Sequence, residues 1–70
     1  MDRYDIAWAD RVRSEYNELS KRIMRLDAFL ESKPNIDKQD ILLLKAQLDA
    51  MRGYAGILVA RLYYHDMEID

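Results

Sequence analysis

Apolar residues recur at helical intervals on either side of a single break. From Val12 they continue at Tyr16, Leu19, Ile23, Leu26 and Leu30, in steps of 4, 3, 4, 3 and 4. From Ile41 they continue at Leu44, Leu48, Met51, Ala55, Leu58 and Leu62, in steps of 3, 4, 3, 4, 3 and 4. Alternating threes and fours average 3.5, the spacing that holds one stripe of a helix against a partner helix. Trp8 carries the first row one turn upstream, and Ala28 and Phe29 broaden its lower end. The break is Glu31-Ser32-Lys33-Pro34-Asn35-Ile36-Asp37. Proline has no amide donor and pushes the preceding residue out of the helical region, so no regular helix crosses Pro34.

The pattern predicts an all-α chain: a helix over about residues 4–32, a turn at 33–37, a helix over about 38–64, and a tail at 65–70 that lacks periodicity and frays. The first helix is expected either to run through or to bend or break near Ala9–Asp10, which would leave a short extra N-terminal helix. Asp37 stands where the second helix needs an N-cap, and Asp40 three residues on makes a weaker relative of the capping box. Ile36 before the cap and Ile41 at the fourth helical position are spaced for a hydrophobic staple. A connection of about five residues makes the helices antiparallel neighbours, so residues 1–70 form one helical hairpin.

The second helix carries more apolar surface than one partner covers. Beside its seam run Leu43, Ala50, Tyr54, Ile57 and Tyr64. A second stripe needs a second partner or remains an exposed patch. Either the N-terminal turns around Tyr4 and Trp8 fold over it, or the hairpin assembles into a helical homo-oligomer, which is the reading favoured here. Chain length points the same way, because 70 residues bury too little surface for easy stability without a staple. Disulfides and thiolate metal sites are excluded, there being no cysteine. One histidine, His65, excludes a histidine-rich metal site. No metal and no cofactor are expected.

Charge narrows the function classes. The net charge is −2 and neither half is strongly basic, so binding to a DNA backbone is not expected as the main activity. No apolar run approaches a membrane span. The opening Met1-Asp2-Arg3-Tyr4-Asp5 does not read as a signal peptide, so a cytoplasmic location is expected. No nucleophile–base pair, metal-ligand cluster or phosphate loop is present, so an enzyme is not expected.

What remains are candidate binding residues. Gly53 and Gly56 fall mid-helix, where each costs about 1 kcal/mol against alanine. With Ala60 they form a small-residue face, read either as a close helix–helix contact or as a notch for a flat ligand. Gly53, Tyr54, Gly56 and Ile57 are the candidate interface. Tyr4, Trp8 and Tyr16 are candidate base-stacking residues, with interface anchoring as the plainer role. Lys21, Arg22 and Arg25 cluster as helical neighbours, with a solvated face as the default reading and an anion site as the alternative. Arg61 lies among Ile57, Leu58, Ala60 and Leu62, a setting that calls for an anion, from a neighbouring chain or a ligand phosphate. The candidate ligand-binding set is Tyr4, Trp8, Tyr16, Lys21, Arg25 and Arg61.

The order of residues adds a resemblance. Arg11-Val12, Glu15-Tyr16, Glu18-Leu19, Arg22-Ile23, Leu26, Phe29-Leu30 and Glu31-Ser32 are followed by Leu43-Leu44, Gln47-Leu48, Met51, Tyr54, Ile57-Leu58 and Arg61-Leu62. Over about residues 11–62 this resembles the small helical phage and prophage proteins that include the type 2 anti-CBASS cyclic-nucleotide sponges. The resemblance implies a homohexamer that holds cyclic dinucleotides between protomers, with cyclic trinucleotides in separate pockets, and so starves a host effector of its signal. It supports Tyr16 and Arg61 as ligand residues. The expected function is therefore sequestration of cyclic oligonucleotides without cleavage. The alternative is an oligomeric helical adaptor or inhibitor that docks a host or phage protein through the second stripe; a small DNA-binding regulator is the weakest reading.

Overall fold

The computed structural model describes residues 3–67, with side chains from residue 7 onward. Helix α1 spans Arg3–Glu31 and helix α2 spans Lys38–Tyr64. At 1.5 Å per residue they are roughly 43 and 40 Å long. The chain measures 51 × 15 × 14 Å, a rod two helices wide. Ala9, Val12 and Leu19 of α1 form one buried cluster with Leu58 and Leu62 of α2. The start of α1 therefore lies beside the end of α2, which makes the pair antiparallel. Trp8, Tyr16, Ile23, Met51, Ala55 and Met67 pack around that cluster. The core is concentrated at the open end of the hairpin. Nearer the turn, Leu48 is buried, while Leu26, Leu30, Ile41 and Leu44 are only half-buried.

The bend or break expected near Ala9–Asp10 is not there: α1 is a single helix. Ala9 is 1 % exposed in the core. A small side chain belongs where two helices come close, and alanine is the best helix former, so the position strengthens α1.

The turn follows from Pro34. Lys33 takes a left-handed φ of 54°, and its N–H reaches the Leu30 carbonyl at 3.1 Å. A full Schellman stop would have the next residue donate to Phe29. That residue is proline, with no N–H to give. The Ser32 hydroxyl donates to the Phe29 carbonyl instead, at 2.6 Å. On the far side, Asp37 caps α2 differently from the expectation. Its carbonyl accepts the Ile41 N–H at 3.0 Å, but its side chain makes no cap hydrogen bond. The carboxylate is exposed to water, which competes for it. Ile36, placed for a staple, also stays exposed.

The tail corrects a second expectation. Residues 65–67 are hydrogen-bonded to the end of α2, while 68–70 lie outside the described residues. Asp66 adopts φ 58°, Met67 N–H bonds the Leu62 carbonyl at 2.9 Å, and Asp66 N–H bonds the Tyr63 carbonyl at 3.0 Å. This pair of bonds is the Schellman motif, completed by an apolar contact as Met67 packs on the core. Asp, a short polar residue, tolerates the left-handed region better than most.

The second stripe of α2 is uncovered. Leu43, Tyr54 and Ile57 are exposed, and Tyr64 is 84 % exposed. A Cβ added at Gly53 or Gly56 would meet nothing within 4 Å. Packing within the hairpin therefore gives no reason for either glycine. For the lone hairpin, Gly53→Ala and Gly56→Ala should each stabilise by about 1 kcal/mol. If a neighbouring helix uses these sites for close approach, the same changes should weaken association. Urea unfolding and solution mass, measured together, read the two effects. No described helix is long and apolar enough to cross a membrane.

Candidate functional site

Helical spacing gathers the polar and aromatic side chains on one flank. Trp8, Glu15, Glu18 and Arg22 each precede a core-facing residue of α1 by one position. Tyr54, Ile57 and Arg61 do the same on α2. In an antiparallel pair these two rows lie side by side. The opposite flank holds the residues one position after the seams, where Arg52 pairs with Asp27 at 3.5 Å.

Two grooves open on the first flank. The one at the open end, about 380 Å³, is lined by Trp8, Ile57, Ala60, Arg61, Tyr64 and His65. Ile57, Arg61 and Tyr64 are spaced by four and three, so one face of α2 presents all of them. The Arg61 guanidinium carbon sits 5.2 Å from the centre of the Trp8 ring. A cation over an exposed aromatic face is held by about 0.5–1 kcal/mol. His65 meets Trp8 in a T-shaped arrangement, with ring centres 5.0 Å apart at 71°. It meets Tyr64 the same way, at 5.0 Å and 88°. The cap that ends α2 holds His65 there, through its N–H to the Leu62 carbonyl at 3.0 Å. Arg61 lies in the last turn of α2, where the helix dipole favours a cation.

Among the described residues, Arg61 makes no ion pair, unlike Arg13 with Asp10, Lys21 with Glu18 and Arg52 with Asp27. The groove thus combines an aromatic ring with a guanidinium that no carboxylate engages. That pair of groups suits a flat ring carrying anionic oxygens. The second groove, about 400 Å³, is lined by Ser14, Glu15, Glu18, Leu19, Arg22 and Tyr54. Two carboxylates beside Arg22 make it less suited to an anion.

A family model, Sequestin, matches residues 6–64. The chain belongs to the Sequestin family. The match takes in α1 from residue 6, all of α2, and every residue of the open-end groove except His65. No match was found among curated proteins or among solved structures. The name Sequestin points to sequestration, in keeping with the sponge-like activity implied by the sequence resemblance, and names no ligand.

The Sequestin hairpin divides the candidate residues into groups. Trp8 and Arg61, 53 positions apart in sequence, come together. Tyr16 is half-buried against the core. Lys21 is exposed and pairs with Glu18 at 3.8 Å. Lys21 and Arg25 lie roughly 20 and 26 Å along α1 from Trp8, so one chain does not bring them to the groove. The Tyr4 side chain lies outside the described residues. Gly53, Tyr54, Gly56 and Ile57 are all exposed, and Ile57 also lines the groove. His65 was missed as a groove residue because the tail was expected to fray. Its position four residues after Arg61 was the available signal.

Proposed function

We propose that this member of the Sequestin family captures a small phosphate-bearing nucleotide, of the cyclic oligonucleotide class, and holds it without chemical change. The observation that carries this reading is Arg61 over Trp8, with no carboxylate engaging Arg61 among the described residues, on an open groove. The Trp8 ring supplies a stacking surface and Arg61 grips phosphate oxygens in bidentate fashion. The family match and the sequence resemblance support sequestration as the outcome. In a phage setting, the effect is to keep a host defence effector from its signal in the host cytoplasm.

The proposal includes a homo-oligomer, for which the resemblance implies six copies. The uncovered stripe Leu43, Tyr54, Ile57 and Tyr64 supports it, as do two glycines with open space around them. Because Ile57 and Tyr64 both line the groove and belong to this stripe, assembly would deepen the groove, and a neighbour could bring Lys21 or Arg25 to it. Isothermal titration of the assembled protein with cyclic di- and trinucleotides tests the reading. Heat is expected with at least one, the ligand should be recovered intact, and Arg61→Ala should weaken binding tenfold or more, the scale of a lost charge-assisted bond. Absence of heat across the set would sink it.

The same stripe favours a second reading, an adaptor or inhibitor that docks a protein. It predicts an apolar face that stays free in solution and no nucleotide heat.

A further inference from the structure

We propose that Arg61 is a specificity gate, which makes the groove accept a ring and a phosphate together and reject either alone. This rests on the nucleotide reading of the Trp8–Arg61 groove and extends it to how the ligand class is chosen.

The argument starts from what already surrounds the indole. Trp8 is half-buried and leans on the core cluster. His65 braces it in a T-shaped contact at 5.0 Å. Its open face is the one a base would use, and the Arg61 guanidinium occupies that face at 5.2 Å. A neutral ring must displace Arg61 and offers no anion in return, so it forfeits the cation–π contact. Phosphate alone draws Arg61 off the indole and leaves an apolar surface facing water. A nucleotide does both: its phosphate takes the guanidinium while its base covers the vacated ring. Each half of the ligand removes the obstacle to the other, which is positive coupling within one site. Arg61 can swing because it is exposed and makes no ion pair among the described residues. Trp8 is the more constrained of the two, packed on the core and against His65.

Trp8 is the chain's one tryptophan, so its emission reports on this groove. Adenosine, inorganic phosphate and cyclic di-AMP are titrated into the wild-type protein and Arg61→Met, which removes the charge but keeps length and helix propensity. Arg61→Gln serves as a second neutral variant, and circular dichroism confirms the fold of each. In the wild type, cyclic di-AMP should change Trp8 emission, and adenosine or phosphate should do so far more weakly. In Arg61→Met and Arg61→Gln, adenosine should bind about threefold tighter, the size of a removed exposed cation–π contact. Cyclic di-AMP should bind about tenfold weaker or worse. Opposite signs for the two probes are the mark of a gate. If both neutral variants weaken adenosine as well, or leave it unchanged, Arg61 is an ordinary contact and the gate is overturned, while nucleotide binding by the wild type still stands. If no probe changes Trp8 emission in any protein, the gate is overturned at this groove, and the nucleotide reading falls with it only if titration across the cyclic di- and trinucleotide set also gives no heat.

Discussion

Leu58→Ala should abolish cooperative unfolding of the hairpin. Leu58 is fully buried, at 0 % exposure, in the cluster that joins the two helices. Truncating a buried leucine costs about 2–5 kcal/mol, from lost burial plus the cavity left behind. A 70-residue chain has little stability to lose, since small domains bury a modest share of their surface. The described buried core is six residues, Ala9, Val12, Leu19, Leu48, Leu58 and Leu62, and among the described residues no second buried cluster backs it up. Thermal and urea unfolding followed by circular dichroism should show a broad, low-amplitude transition. Leu42→Ala makes the control, because Leu42 is 55 % exposed, and surface changes usually stay within about 0.5 kcal/mol. A Leu58→Ala protein that melts like the wild type would show that the cluster does not carry the fold.

Ile57→Glu should break the proposed assembly and silence ligand binding together. Ile57 is 59 % exposed in the hairpin, so the change should leave a single chain unharmed. If a second copy covers the stripe, each interface loses the burial of an isoleucine, about 1.5–3 kcal/mol, or roughly ten- to hundredfold in association. The carboxylate left there adds a desolvation cost. Light scattering should then give a mass near 8.3 kDa where the wild type gives a multiple of it. Because Ile57 also lines the groove, nucleotide heat should disappear in the same variant. A variant that keeps the wild-type mass would remove this stripe from any account of assembly.

The hairpin itself was legible because two seams and one proline encode it. Val12 through Leu30 and Ile41 through Leu62 each mark the stripe that faces the partner helix, and Pro34 leaves one place to turn. What stayed hidden was set by hydrogen bonds and close approach, which periodicity does not record. A small residue in an apolar pattern looks like a weak point, yet Ala9 is a core residue where the helices meet. The aperiodic tail read as frayed, because a Schellman stop depends on one left-handed residue, Asp66, and one apolar residue after it, Met67. Asp37 had the right chemistry and position for a cap, but only its backbone serves. The groove was half legible. Trp8 and Arg61 stood out as residue types, whereas their meeting depends on antiparallel register, and His65 depends on the cap. Lys21 and Arg25 were chosen by charge, which says nothing of distance along the rod.

The contact between Trp8 and His65 joins points near the two ends of the chain. At the far end, Pro34 and the Ser32–Phe29 bond pin the turn, whereas at the Trp8–His65 end only side-chain packing keeps the two helices together. A molecule seated across Trp8 and Arg61 acts there as a clasp. It would bridge the two helices at the end where no turn joins them, and so oppose their parting. Occupancy of the groove would thereby be linked to the folding of all the residues between, since a ligand that binds only the joined helices stabilises them.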